Sequence, residues 1–228
     1  MYHNYLNSKP IFTMTRIITS VLTSFLLVFS FVAQPALASS GEEAAAGVDH
    51  HERMVWDIDN NHSNILFKIN HFFNEIPGTF HNFGGEVVFD PENAENSEFD
   101  IEIIVASVDT NVQDRDSHLR TDDFFDVQSY PTMHFRSTEV RHVEGSDYVA
   151  HGQLRIKDVT REVELPFEFL GVREHLMRDN VLVAGLNGNL TINRTDFGVG
   201  VGDFASTAVI GDEVNIQITL QVHKEVSS

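Results

Sequence analysis

The chain has 228 residues, enough for one domain or two small ones with a sizeable core. Lys and Arg number 15 against 34 Asp and Glu, a formal charge of −19 that repels phosphate backbones and argues against nucleic-acid binding. Hydrophobic residues at 42% and charged residues at 21% describe a folded domain, and the absence of cysteine excludes disulfides, thiolate metal sites, cysteine nucleophiles and a lipoprotein anchor.

Lys9 and Arg16 precede an apolar stretch from Ile17 to Ala33, after which Gln34-Pro35 leads into Ala36-Leu37-Ala38. That order predicts a signal peptide over residues 1–38, cleaved after Ala38, with Met14 a second candidate start. The alternative is an uncleaved membrane anchor. Thr19, Ser20, Thr23, Ser24 and Ser30 dilute the stretch, and the small-x-small site follows it, so cleavage is the expectation. Residues 39–53 are acidic, rich in small residues and without periodicity, and read as a flexible linker. His50-His51 within it lacks the preorganisation that a metal site needs.

From Met54 onward apolar and polar residues alternate, the pattern of half-buried antiparallel strands. Strand candidates are Val55 to Asp59, Asn64 to His71, Gly78 to Asp90, the alternating run Phe99, Ile101, Ile103, Val105, and Thr132 to Val143. Tyr148 to Lys157, Val163 to Phe169, Val181 to Asn193 and Val214 to Val222 follow. One stretch departs from this pattern: Asp114 to Val127 predicts a short helical segment presenting Phe124 and Phe125 to a core. The whole of 54–226 therefore reads as one all-β domain of about eight or nine strands, as a barrel or a sandwich. If it closes as a barrel, its interior either fills with side chains or holds one ligand, and a narrow lipid tail suits such a tunnel.

Arg115, Asp116, His118, Arg194 and Asp196 have the look of catalytic groups, yet no nucleophile accompanies them. The same residues can pin a helical segment to a barrel mouth through charge-assisted bonds. Asp114, Asp116, Asp122, Asp123 and Asp126 lack calcium-loop spacing and read as a solvated face. No two of His62, His71, His81, His118, His134 and His151 have the i, i+4 spacing of a helical metal site, so no metal is expected. Gly198, Gly200 and Gly202 open no helix and read as a rim loop rather than a phosphate cradle.

Several strings occur in order along the domain: Trp56-Asp57-Ile58-Asp59, His62-Ser63, Gly78-Thr79-Phe80, Gly84-Gly85 and Phe89-Asp90. They continue through Ser107-Val108-Asp109-Thr110, Arg115-Asp116, His118-Leu119-Arg120, Asp123-Phe124-Phe125-Asp126, Tyr130-Pro131, Phe135 and Ser137-Thr138. Then come Gly152, Leu154, Val159-Thr160, Leu165-Pro166, Asn193-Arg194-Thr195-Asp196-Phe197-Gly198 and Gly211-Asp212-Glu213-Val214. Together these resemble the YceI-like family from about Val55 to His223. The resemblance implies an extended, eight-stranded antiparallel lipocalin-like barrel in a secreted or periplasmic bacterial protein. It also implies a polyisoprenoid or isoprenoid quinone ligand, no catalysis and no cofactor. Two departures touch a barrel rim: Phe72-Phe73-Asn74-Glu75-Ile76 stands where many relatives have a short hydrophobic turn, and Lys157-Asp158-Val159 where Gly-Val is usual.

Under that reading the candidate ligand-binding residues are Phe67, Ile69, Phe80, Phe89, Ile101, Ile103, Phe135, Phe167, Phe169, Ile192, Ile216 and Ile218, with Phe124 and Phe125 at a lid. A one-residue slip in any strand would exchange lumen for exterior. Two other functions compete with the carrier. One is an enzyme acting on a lipid or quinone, with His118 assisted by Asp116 or Asp126. The other is a filled-core interaction module, acting as a homodimer or with an inner-membrane partner protein. Strong negative charge directs any lipid transfer toward uncharged headgroups or a membrane-protein dock.

Overall fold

The computed structural model describes residues 53–226. The expected signal peptide, residues 1–38, and all of the expected linker but its last residue lie outside them. That residue, Arg53, pairs with Glu86 and Glu98 at 2.7 Å each. No helix among the described residues is long and apolar enough to cross a membrane.

In chain order the elements are β1 (Val55–Ile58), β2 (Asn64–His71), β3 (Asn74–Phe80), β4 (Phe83–Val88), β5 (Glu98–Ile104), β6 (Val108–Asp109), α1 (Gln113–Leu119), β7 (Thr132–Glu144), β8 (Asp147–Ile156), β9 (Val159–Glu174), β10 (Val181–Asn193) and β11 (Ile210–Glu225). All pairings are antiparallel. The ring runs β1-β4-β5-β7-β8-β9-β10-β11 and closes where Asp57 and Ile58 of β1 meet His223 and Val222 of β11. The remaining strands prolong that ring at one end, β2 lying on β11, β3 on β2 and β6 on β3. Three staves of an eight-stranded barrel are thus each broken in two, around residues 59–63, 81–82 and 105–107. The stretch Gly78 to Asp90, expected as one strand, is therefore two. His81-Asn82 bends it, and its first half starts earlier, at Asn74.

The alternation along the chain becomes an inside and an outside. On β11, Asn215, Gln217 and Thr219 are exposed while Val214, Ile216, Ile218 and Leu220 are half-buried, facing the lumen. Closing the ring through β1 and β11 commits each apolar face to one interior. The helix is shorter than the stretch that predicted it. It ends at Leu119, and turns that place Asp126 at φ 49° carry the chain on to β7.

The break between β1 and β2 falls at the seam of the barrel and needs a substitute for the lost ladder bonds. Ser63, buried, supplies it: its hydroxyl accepts from Gln221 N–H at 3.0 Å and donates to Gln221 C=O at 3.3 Å. That carbonyl also accepts the Asp59 N–H at 2.9 Å, and the Gln221 amide donates to Asp59 at 3.0 Å. A Ser63→Ala chain is expected to lose about 1–2 kcal/mol in urea denaturation, because the Gln221 N–H loses its acceptor. A Ser63→Thr chain, which keeps the hydroxyl, should lose less.

Candidate functional site

The two ends of the barrel are built differently. At one end Phe89, almost fully buried, sits among Phe99, Tyr148, Phe167 and Phe169, with ring centroids 5.2–6.2 Å away. Tyr148 hydroxyl donates to the Pro91 carbonyl at 3.1 Å, and Trp56 Nε1 donates to the Phe89 carbonyl at 2.9 Å. The polar handles of both rings are satisfied, and this end is filled.

Beyond Phe99 the lumen is open. A cavity of about 500 Å³ lies there, within the range of roughly 300–1,000 Å³ typical of small-molecule sites. Its lining along β11 from Val214 to Leu220 covers roughly 20 Å of strand, or about 15 Å of axial depth at the tilt usual for barrels. Phe99 is its floor, belonging both to the lining and to the aromatic cluster.

Of the residues expected from sequence, Phe67, Ile69, Phe80, Ile101, Ile103, Phe124, Phe125, Phe135, Ile192, Ile216 and Ile218 line this cavity. Phe89, Phe167 and Phe169 do not; they point inward but belong to the filled end, where their rings occupy the lumen themselves. Alternation tells inside from outside and carries no information on depth along the axis. Further lining residues are Ile65, Met133, Leu165, Leu190 and Leu220, each two residues from an expected one on the same strand, together with Leu154 and Ile156 of β8, a strand from which none was expected. Phe197, Val199 and Phe204 also line it, from a loop without periodicity, and no sequence pattern marked them.

Two of the wall aromatics lie over a glycine of the neighbouring strand, one directly opposite and one on the diagonal. Phe67 opposes Gly78 and Phe135 lies over Gly152, where an added Cβ would come within 2.2 Å and 2.8 Å of the respective ring. Glycine there lets the ring cover the neighbouring strand instead of filling the lumen.

The roof comes from two segments. The turns after α1 bring Phe124 and Phe125 over the cavity, with Phe125 against Phe80 at 5.9 Å. The loop between β10 and β11 brings Phe204 against Phe124 at 5.2 Å, and the His118 ring stands edge-on to both at 5.0 Å. α1 is fastened to the bend between β5 and β6. Asp116, buried, accepts from Thr110 N–H at 2.8 Å and its hydroxyl at 2.5 Å, while Arg120 donates to the Ala106 and Val108 carbonyls at 2.9 and 2.6 Å.

Arg194 organises the other half of the roof. It is 4% exposed, and its guanidinium donates to five carbonyls, those of Val199, Gly200, Phe204, Ile210 and Gly211. Burial pulls its pKa down, and the nearby Asp212 opposes that shift. Asp212 in turn accepts from Thr195 hydroxyl at 2.7 Å and Thr195 N–H at 3.1 Å. The hydroxyl bond leads in holding its carboxyl below the ordinary 3.8, with burial acting against it.

The arrangement has little of a catalytic centre. The expected partnering of His118 with Asp116 or Asp126 is corrected: Nε2 of His118 lies 2.9 Å from Asp123, and the Asp116 carboxylate is turned to Thr110. Among the described residues no group of three or more His and carboxylates is placed to hold a metal ion. A second concavity of about 700 Å³ runs over Arg53, Glu86, Glu98, Asp100, Glu102, His134, Arg136 and Arg155. It is shallow and polar, and Arg53, Arg136 and His134 are already paired with its carboxylates. The roofed apolar cavity is the better candidate, because enclosure and desolvation are what confer affinity for a small ligand.

The YceI-like domain matches residues 56–222, the barrel almost end to end. The chain belongs to the YceI-like family. A UPF0312 protein of Pectobacterium atrosepticum is 32% identical over 173 residues, 75% of this chain and 85% of that protein. One from Photorhabdus laumondii is 40% identical over 116 residues, covering 50% of this chain and 60% of the relative. Among solved structures, Burkholderia cenocepacia BcnA superposes with a TM-score of 0.66 at 27% identity, over 72% of this chain and 99% of BcnA. The Campylobacter jejuni YCEI protein gives 0.62 at 30% identity, over 68% and 88%. A polyisoprenoid binding domain from Saccharophagus degradans shares the fold at a TM-score of 0.54 and 14% identity, over 77% of this chain and all of that domain.

Several strings that mark the family in this chain are thereby given physical work. Thr110, Arg115, Asp116 and Arg120 fasten the helix, and Arg194 with Asp212 gathers the second roof loop. Replacing Arg194 with Met is expected to cost about 3 kcal/mol or more, since buried carbonyls lose their donors. Arg194→Lys should recover only part, a point charge being unable to reach five acceptors; thermal denaturation checks both. For Asp212 the sign follows from its lowered folded pKa: the contribution is present above the unfolded value and is lost as pH falls through the folded one. Protection of the Thr195–Gly211 amides, the intrinsic exchange rate over the observed one, should therefore fall below about pH 4, and Asp212→Asn should remove that pH dependence.

Proposed function

We propose that this YceI-like protein is a periplasmic carrier that holds the tail of a polyisoprenoid lipid or isoprenoid quinone in its barrel for transport, storage or sequestration. The observation behind this reading is the roofed cavity, whose lining is apolar apart from a few residues near its mouth and roof. Burying each five-carbon unit of such a tail contributes roughly 3–4 kcal/mol before ordering costs are subtracted. No bond need be made or broken. Asn70 and His71 lie at the mouth and supply polar atoms for a headgroup, while the tail runs down toward Phe99.

Export by the signal peptide expected over residues 1–38 would place the protein in the periplasm, where a water-insoluble tail needs a shield. The ligand named for the Saccharophagus domain is consistent with a tail of this class. Binding without catalysis fits His118, whose ring is engaged by Phe124, Phe204 and Asp123. The filled-core alternative requires a lumen occupied by side chains throughout, and that description suits one end of this barrel.

Native mass spectrometry of protein purified from its own type of cell envelope, followed by organic extraction, tests the reading. A bound species with isoprene-spaced fragments is expected. Persistent apo protein after incubation with prenyl lipids and quinones would overturn it. Ile103→Glu and Phe135→Glu place an unpaired carboxylate in the lumen and should abolish uptake. Ile101→Trp stays apolar but takes up volume, so it should shorten the longest tail accepted while leaving the fold intact.

A further inference from the structure

The hairpin between β2 and β3 turns on Phe72-Phe73, and neither side chain belongs to the core. Phe73 is fully exposed and Phe72 is 57% exposed. Phe72 also holds φ at 52°, the left-handed region that turns ordinarily give to glycine or asparagine. A bulky aromatic in a disfavoured conformation and in water is a local cost without a local return, the kind of outlier that points to function. Phe72 is nonetheless held in place: its N–H donates to the Val209 carbonyl at 2.8 Å, and its ring stands edge-on to His71 at 4.9 Å.

The surroundings indicate what the tip meets. Asn70, His71, Ile76, Val209 and Ile210 line the cavity, so the tip stands directly beside the mouth. In a chain with 21% charged residues, residues 70–74 and 204–211 contain no Asp, Glu, Lys or Arg. These two segments are the ones joined by the Phe72–Val209 bond, and the second is exposed from Ala205 to Val209. The other exposed apolar tip, Leu176-Met177, is set between Glu174 and Arg178-Asp179, at the end of the barrel away from the mouth.

We propose that the Phe72-Phe73 tip, with the uncharged Phe204–Gly211 segment bonded to it, docks the barrel on an uncharged phospholipid bilayer and sets the cavity mouth at the lipid surface. Two protruding rings bury about 300–500 Å² at most, well short of the roughly 800 Å² per partner of a stable protein interface. Insertion among lipid chains needs no complementary surface and rewards such a wedge. The acidic chain would be repelled by anionic headgroups, which selects zwitterionic lipid. The lipid-carrier reading supplies the reason for bringing the mouth there; docking itself is tested without cargo.

Flotation of the protein, as the cell processes it, with phosphatidylcholine vesicles is the direct experiment. Wild type should float, Phe72→Gly/Phe73→Ser should partition at least ten-fold less, and Leu176→Ser/Met177→Ser should match wild type. Replacing a third of the lipid with phosphatidylglycerol should weaken binding, and added salt should restore it. Phe73→Trp adds a reporter whose emission should shift to the blue on vesicles, against a constant background from the buried Trp56.

The glycine variant relieves the strained turn, so an unchanged or higher melting temperature and normal uptake of a long-chain polyprenol from detergent will show that fold and cavity are intact. Equal flotation of the tip variant would overturn the proposal. So would a wild type that ignores vesicles and instead captures a protein through these rings. Vesicle binding in a wild type that takes up no polyprenol would sustain the docking and overturn the carrier reading.

Discussion

β11 pairs along one side with β10 from Glu213 to Glu225 and along the other with β2 and then β1, and that double engagement is what turns the sheet into a tube. Everything inside depends on it. With the ring closed, each of its strands has one face committed to a shared lumen, and the alternation of residues in the chain becomes a division between solvent and interior. The seam is also where regular pairing is interrupted, between β1 and β2. Ser63 and Asp59 there take over the hydrogen bonds that a continuous strand would have made to Gln221. A seam secured by side chains lets the first staves bend, and the bends carry the upper halves of those staves around the cavity.

Inside the tube the same residue type serves two opposite ends. Phenylalanine fills the lumen where several rings converge on Phe89, and it lines an open space where rings lie over Gly78 and Gly152. The difference is made by neighbours rather than by the aromatic residues. An empty apolar space forfeits packing that a filled one would have. Here the filled end, the Asp116–Thr110 fastening and the Arg194 carbonyl cluster stabilise what surrounds the void. Stability is thus concentrated in the plugged end and in the roof that encloses the place where a ligand would sit.

Much of this was legible in the chain. The run from Val214 to Val222 states its two faces by period alone, and Phe67, Ile101, Phe135 and Ile216 are found on the inward side where that period puts them. The charge-assisted fastening expected of Asp116 and Arg194 from their chemistry is found, though Arg194 holds a loop rather than the helix. The failures have definite causes. Phe89, Phe167 and Phe169 share the inward parity of the lining but differ in height, which periodicity does not encode. Phe204 and Phe197 sit in irregular backbone and have no pattern to betray them. His118 pairs with Asp123 because the turn after α1 brings that carboxylate round, while Asp116 faces β6.

By itself the sequence determined that this is an acidic all-β domain without cysteine chemistry, that its strands have one apolar and one polar face, and which family it resembles. The first two follow from composition and from a two-residue repeat, both local, and the resemblance from short strings that occur in order along the chain. Tertiary structure alone decided that the tube closes through β1 and β11, that one end is plugged and the other hollow, and that the β10–β11 loop roofs the cavity. It also placed the strained Phe72-Phe73 turn at the mouth. Each of these depends on which distant segments share a height around the barrel, and that is set by register and shear, which no single strand contains.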